Sequence, residues 1–138
     1  MALALDGHYL DEMIAHAREE APNECCGMLG GKNDRVLKLY RARNEAPEER
    51  RPYSYQLHRQ DLIHIISDVR ENDWEVVGVY HSHTGTDAYP SPTDVNIAMQ
   101  TWPDIYYLIV SLAEPERPVL RAFRILDEQI TEEELVIS

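Results

Sequence analysis

The chain has 138 residues, 43% of them hydrophobic. This length is enough for one compact core and too short for two ordinary domains, so we predict a single domain over residues 1–138. The formal charge of −12 repels phosphate backbones, so we expect no nucleic-acid binding and favour a neutral or locally basic protein partner. The sequence has no apolar run of about eighteen residues and no basic start before an apolar stretch, so it predicts no membrane span, no signal peptide and a cytoplasmic location.

The first third of the chain predicts one helix and one hairpin. Apolar residues recur at helical spacing over residues 9–17, and Pro22 closes that segment. Two short apolar runs, at 25–29 and 36–40, flank the turn-rich sequence GGKND. We therefore expect two antiparallel strands after the helix.

The middle of the chain begins with a charged segment, NEAPEERRP at residues 44–52. It has two prolines and no periodicity, which predicts a loop; the sequence leaves open whether this loop contacts a partner or is a solvated connection. A strand is predicted at 53–57. Helical spacing returns over residues 62–69 and predicts a second helix.

The second half contains a β-branched, nearly continuously apolar strand candidate, EVVGVY at residues 75–80, which is expected to be covered on both faces and central in its sheet. The remaining elements are predicted as a helix at 92–101 stopped by Pro103, then strands at 105–112, 119–126 and 130–137. Helices mixed with strands in this order indicate an α/β or α+β fold, a single sheet with helices packed against it.

The two cysteines, Cys25 and Cys26, are adjacent, which is poor geometry for a disulfide and gives no CxxC pair for zinc. We expect them to be small apolar side chains in or beside the core. A cysteine nucleophile paired with a distant histidine stays open as an alternative.

The segment YHSHTGTDAYPSPTD, which starts at residue 80, holds the candidate metal ligands. His81 and His83 follow the apolar strand, so their side chains leave the same face about 6.6 Å apart at the backbone, whereas Ser82 points the other way. Two imidazole nitrogens and a carboxylate oxygen suit zinc with one open position, and Asp94 can supply the oxygen.

The same segment has a purely structural interpretation. SPTD is a good helix start, with Ser91 as N-cap, a proline at the first helical position and Asp94 placed to return the cap. Spacing alone does not decide between a metal site and a capped helix. The two interpretations are compatible, because a helix start can hold a ligand rigidly.

These residues resemble a known family. The order His81, one residue, His83, seven residues, Ser91, two residues, Asp94 is similar to the HxHx7SxxD signature of the JAMM, or MPN+, metallopeptidases. Upstream, ECCGMLGG from Glu24 is similar to the family's E-x-C-G-x-L-x-G segment. The resemblance covers about residues 5–131 and implies the MPN/JAMM fold, a mixed, curved sheet packed by helices and cytidine-deaminase-like.

The resemblance also implies roles for the site residues. His81, His83 and Asp94 become the ligands of one Zn²⁺ per chain, Glu24 the general base that takes and returns a proton, and Ser91 a hydrogen-bond donor to the carbonyl oxygen. Nothing in the spacing alone selects Glu24 from the other acidic residues.

Within the family, the segment around Ser91 is most similar to small bacterial hydrolases that remove cysteine from a ubiquitin-like sulfur-carrier protein. The implied reaction is cleavage of the amide bond after the carrier's C-terminal Gly-Gly, with release of cysteine or another amine. Two alternatives stay open: a general isopeptidase that removes such carriers from lysines, and a non-catalytic MPN scaffold. The sequence identifies neither the carrier nor the oligomeric state.

Overall fold

The computed structural model describes residues 2–100, 102 and 104–138. In chain order its strands and helices are β1 (Ala2–Leu5), α1 (Gly7–Glu20), β2 (Cys26–Lys32), β3 (Arg35–Ala42), α2 (Arg59–Glu71), β4 (Glu75–His83), α3 (Pro92–Gln100), β5 (Tyr106–Ser111), β6 (Val119–Leu126) and β7 (Gln129–Ile137). The predicted mixture of one sheet and packed helices is confirmed.

The sheet closes on itself as a barrel in the order β1-β3-β2-β4-β5-β6-β7. Strand β1 is parallel to both of its neighbours and β4 is parallel to β5, while the other pairs are antiparallel. Strand β4 lies between β2 and β5, as predicted for EVVGVY. Its position brings the histidines at its carboxyl end into the middle of the sheet.

Two features of the fold differ from the sequence expectations. The strand predicted at 53–57 is wrong, because this segment makes only an isolated bridge between Asn44 and Leu57. Strand β1 was not predicted, since its four residues are too few to show periodicity. Of the helix predicted at 92–101, residues 92–100 form α3, and Thr101 and Pro103 lie outside the described residues.

In the described part of the chain the buried apolar side chains form three clusters, of which the two larger lie on opposite faces of the sheet. We call the part that packs against α1 the α1 face; it includes Leu5, Met13 and Tyr80. The part that packs against α2 and α3, the α2–α3 face, includes Ile65 and Val79. Strand β4 contributes to both because successive side chains of a strand point to opposite sides.

Glycine is required opposite Tyr80. Gly27 of β2 is the cross-strand partner of Tyr80, and a Cβ atom at Gly27 would overlap the Tyr80 ring and the Tyr40 carbonyl. The glycine therefore leaves the space that the Tyr80 ring occupies on the α1 face.

None of the helices in the described part of the chain has the length and hydropathy needed to cross a bilayer.

Candidate metal centre

The two histidines of the HSH sequence lie side by side at the carboxyl end of β4. Their Nε2 atoms are 3.2 Å apart, and residues His81 and His83 are 1% and 5% exposed. Ser82 points away, as expected from strand geometry. Its Oγ accepts a hydrogen bond from the Cys25 amide at 2.8 Å, and its own amide donates to the Cys25 carbonyl at 3.2 Å. Ser82 thus ties the segment that follows Glu24 to the strand that carries the histidines.

The carboxylate of Asp94 reaches the histidines from the first turn of α3. The Ser91 amide donates to Asp94 Oδ2 at 2.9 Å, and the Asp94 amide donates to Ser91 Oγ at 3.1 Å. This is the reciprocal capping arrangement that SPTD predicted. The cap and the candidate ligand therefore coexist, and the cap fixes the aspartate where α3 begins.

The three candidate ligand atoms have spacings that suit zinc. Asp94 Oδ2 lies 3.2 Å from His81 Nε2 and 2.9 Å from His83 Nε2. A tetrahedral zinc ion with bonds of 2.0–2.1 Å separates its ligand atoms by about 3.3 Å, so shifts of a few tenths of an ångström would admit the ion. Within the described residues, these three form the group able to hold a metal.

The chemistry of the donor set also fits a cation. His83 Nδ1 lies 2.8 Å from the Asp87 carbonyl, and only an N–H group can satisfy that oxygen, so the Nε2 lone pair of neutral His83 faces the centre. Asp94 Oδ1 and Glu24 Oε1 are buried oxygen atoms with no hydrogen-bond partner in the described part of the chain. Buried carboxylate oxygens of this kind are costly unless they are paired or coordinate a metal.

The charges of the cluster favour a cation as well. Burial alone would raise the pKa of Asp94, but the charge of His81 and the hydrogen bonds from protonated His81, protonated His83 and the Ser91 amide outweigh it and hold the pKa far below its usual range. A proton on the histidines here has the effect that a bound cation would have. Burial would lower the pKa of His83, yet its bonds to Asp94 and to the Asp87 carbonyl raise it overall. The centre is thus a buried anionic site that attracts positive charge.

Glu24 lies in the same cleft, in the segment between α1 and β2. It is 3% exposed, and burial together with the charge of Asp94 raises its pKa to about 8. Glu24, His83 and Ser91 line one cavity of about 670 Å³. The structure therefore brings all five residues singled out by the sequence to one region.

Tyr55 is a site residue that the sequence did not identify. Its ring stacks on His81 with centroids 4.4 Å apart and planes 22° apart, and the side chain is 3% exposed. Tyr55 also lines a second cavity, of about 460 Å³, and Thr93 lines both cavities. The contact joins two elements distant in sequence, so no local spacing could reveal it.

The adjacent cysteines do not contribute a nucleophile. Cys25 and Cys26 are buried and unpaired. Burial raises the pKa of the Cys25 thiol to about 12 and raises that of Cys26 further above its usual value. Because the thiolate is the reactive form, both side chains are inert core residues, as expected.

Comparison with known proteins agrees with this geometry. A family model of prokaryotic homologs of the JAB domain matches residues 7–126. A CysO-cysteine peptidase of Mycobacterium tuberculosis is 39% identical over 133 residues, covering 95% of this chain and 88% of the relative. A desampylase of Haloferax volcanii is 36% identical over 117 residues, 80% of each chain. A Desulfitobacterium hafniense protein solved in solution superposes with a TM-score of 0.86 at 36% identity, over 100% of this chain and 93% of that one. This chain therefore belongs to the family of prokaryotic homologs of the JAB domain and has the JAB/MPN fold that the sequence resemblance implied.

Proposed function

We propose that this protein is a zinc hydrolase that cleaves the amide bond after the C-terminal Gly-Gly of a ubiquitin-like sulfur-carrier protein and releases cysteine or another amine. The observation that carries the proposal is the convergence of His81, His83 and Asp94, with ligand atoms 2.9–3.2 Å apart, beside the buried carboxyl of Glu24. The relative named CysO-cysteine peptidase supports the substrate class.

His81, His83 and Asp94 would hold the ion, one per chain. When bound, zinc lowers the pKa of a coordinated water to about 7 and polarises a carbonyl group. The stacked ring of Tyr55 and the cap at Ser91 keep two of the ligands in place.

Glu24 is proposed as the group that moves the proton. Its pKa of about 8 applies to the protein alone, where burial and Asp94 oppose ionisation. A cation beside it favours the carboxylate, so near neutral pH Glu24 is able to accept a proton from the attacking water. The protonated side chain then returns that proton to the leaving amine.

Ser91 is proposed to hold the carbonyl oxygen of the substrate. Its Oγ already accepts a hydrogen bond from the Asp94 amide at 3.1 Å, and a serine hydroxyl also has one hydrogen to donate. In the proposal, that hydrogen stabilises negative charge that develops on the carbonyl oxygen.

Two cavities that share a lining residue are the proposed binding site for a thin, extended substrate. Thr93 lines both the cavity with Glu24, His83 and Ser91 and the cavity with Tyr55. A tail that ends in two glycines has no side chains at the cleaved bond, so it is able to pass across the centre. The carrier tail would then lie along the two cavities, with the cleaved bond beside the metal centre.

The test is a matched pair of substrates. A carrier that ends in Gly-Gly-Cys and the same carrier joined through Gly-Gly to a lysine side chain are incubated with zinc-loaded protein, and products are read by mass. We expect loss of the cysteine residue from the first substrate. Preferential cleavage of the lysine conjugate would favour an isopeptidase instead, an alternative that similarity to a desampylase supports.

Elemental analysis completes the experiment, with about one zinc per chain expected. Cleavage of neither conjugate by metal-loaded protein would contradict the proposal and favour the scaffold alternative. Five residues that meet in one region of the fold support an enzyme over a scaffold: Glu24, His81, His83, Ser91 and Asp94. The cytoplasmic location stays a prediction.

A further inference from the structure

The charged segment at 44–52, whose role is left open by the sequence analysis, packs directly against Glu24. The Glu24 amide donates to the Arg51 carbonyl at 2.8 Å. The Glu24 carbonyl accepts from the Asn44 side chain at 3.0 Å. Both backbone hydrogen-bonding groups of Glu24 are therefore held by this one segment.

The side chain of Asn44 is at the centre of these contacts. Its Nδ2 donates to the carbonyls of Glu24 and Ser54, both at 3.0 Å. Its Oδ1 accepts from the amides of Ala46 and Gln56, both at 3.0 Å. An asparagine amide has two N–H donors and two acceptor lone pairs, so these four bonds use all of them and fix which way the amide points.

Further hydrogen bonds join the beginning of this segment to its end and to the residues that follow it. The Glu45 amide donates to the Gln56 carbonyl at 2.8 Å, and Arg51 Nε donates to the Ala46 carbonyl at 2.8 Å. Between Ser54 and Gln56, both bound by Asn44, lies Tyr55, whose ring stacks on His81. Asn44 therefore links the backbone of Glu24 to the loop that carries Tyr55, whose ring covers the candidate ligand His81.

We propose that Asn44 is a positioning residue for Glu24: its amide holds the backbone at Glu24 so that the carboxylate faces the metal centre. This inference rests on the proposed function, in which Glu24 moves the proton. An asparagine suits the task because two carbonyl oxygens converge on one nitrogen. A carboxylate at the same place would bring a third oxygen against them and repel both.

The main test variant is Asn44→Asp, which keeps the size and removes the two N–H donors. Misplacement of a catalytic group by about 1 Å costs roughly 100-fold in rate, so we expect turnover to fall roughly 10- to 100-fold with zinc content unchanged. Asn72→Asp is the matched control, since Asn72 also donates from Nδ2 to a carbonyl, that of Asp68 at 2.8 Å, at the end of α2. It should leave turnover unchanged.

A second variant guards against a general loss of folding. Asn44→Ser keeps an oxygen that can accept from the Ala46 amide two residues on, but its side chain is too short to reach the Glu24 carbonyl. In this variant we expect amide hydrogen exchange at Glu24 to become at least ten-fold faster, because the bond to the Arg51 carbonyl loosens with the loop. Unchanged exchange at Glu24 would overturn the inference without reference to activity.

The decisive measurement is a double-mutant cycle with Glu24→Gln. If Asn44 acts through Glu24, Asn44→Asp should change the residual turnover of the Glu24→Gln protein less than two-fold. An equal loss in both backgrounds would overturn the inference, and so would loss of zinc along with turnover. Either result would mean that Asn44 instead positions Tyr55 and, through it, the candidate ligand His81. A parent protein that cleaves no conjugate would contradict the proposed function itself, whatever the exchange result at Glu24.

Discussion

Strand β4 carries a buried polar cluster on each of its two faces, and the clusters differ in how well their atoms are paired. On the α1 face, His16 Nδ1 and the Tyr80 hydroxyl are 2.8 Å apart, with the rings edge to face. On the α2–α3 face, three ligand atoms converge, and Asp94 Oδ1 has no hydrogen-bond partner among the residues that the structure describes. Buried histidines therefore do not by themselves indicate a metal site. The convergence of three ligand atoms is what distinguishes the candidate metal centre from the pair formed by His16 and Tyr80.

The electrostatics of the two clusters point in opposite directions. Burial, with the charge of Arg41 second, lowers the pKa of His16 to about 4, so this histidine is neutral in the fold. His83 is also buried, but its bond to Asp94 helps to raise its pKa. The first cluster excludes positive charge and the second attracts it. Substitutions on the two faces should accordingly have different consequences.

The largest effect is expected from removal of a ligand. His83→Ala or Asp94→Ala removes one of three donors, so we expect purified protein to lose its zinc and conjugate cleavage to fall below detection. Metal content by elemental analysis and cleavage by mass check both. His16→Asn on the opposite face is the control and should keep the metal. If the Asp94→Ala protein keeps zinc at the level of the parent, Asp94 is not a ligand and serves only as a helix cap.

A smaller effect is expected from Glu24→Gln, which keeps the shape and removes the titrating group. We expect zinc to be retained while turnover falls by roughly 10² to 10⁴, the range for loss of a general base. Glu20→Gln, an exposed acid at the end of α1, is the matched control. Full activity in the Glu24 variant would place the base elsewhere and remove the basis for the role of Asn44.

The parts of this site that the sequence could predict are the local ones. The period of a strand places His81 and His83 on one face, and the spacing of SPTD places a cap and a carboxylate at one helix start. Both follow from backbone geometry over a few residues. Glu24 required a family resemblance, because its local sequence does not separate it from the other acids.

The parts that could not be predicted depend on contacts between distant segments. Residues 53–57 have the alternation of a strand, but Asn44 binds the backbone at Ser54 and Gln56 and takes the place of a neighbouring strand. Tyr55 meets His81, and Asn44 meets Glu24, only after the barrel has closed. β1 is too short to show a pattern and is recognisable only by its pairing with β3 and β7.

The smallest effect is expected for the pair formed by His16 and Tyr80, as a change in the free energy of unfolding with pH. Because the pKa of His16 is about 4 in the fold and 6.5 in the unfolded chain, the unfolded chain binds an extra proton as pH falls from about 7 toward 4. The free energy of unfolding should therefore fall by about 2 kcal/mol between pH 7 and pH 5 through this group alone. His16→Asn removes the titration and keeps a polar atom near the Tyr80 hydroxyl.

Denaturant unfolding of chelator-treated protein at both pH values measures this difference. The chelator removes any pH-dependent loss of metal, and the titration of Glu24, His83 and Asp94 is common to the parent and the variant, so it cancels in the comparison. We expect the parent to lose about 2 kcal/mol more than the His16→Asn variant over this range. His64→Asn, the same change at an exposed position of α2, controls for loss of a helical histidine. Equal pH dependence in the parent and in His16→Asn would mean that His16 accepts a proton within the fold. The α1 face would then not exclude positive charge, and the contrast between the two faces of β4 would rest on the convergence of the three ligand atoms alone.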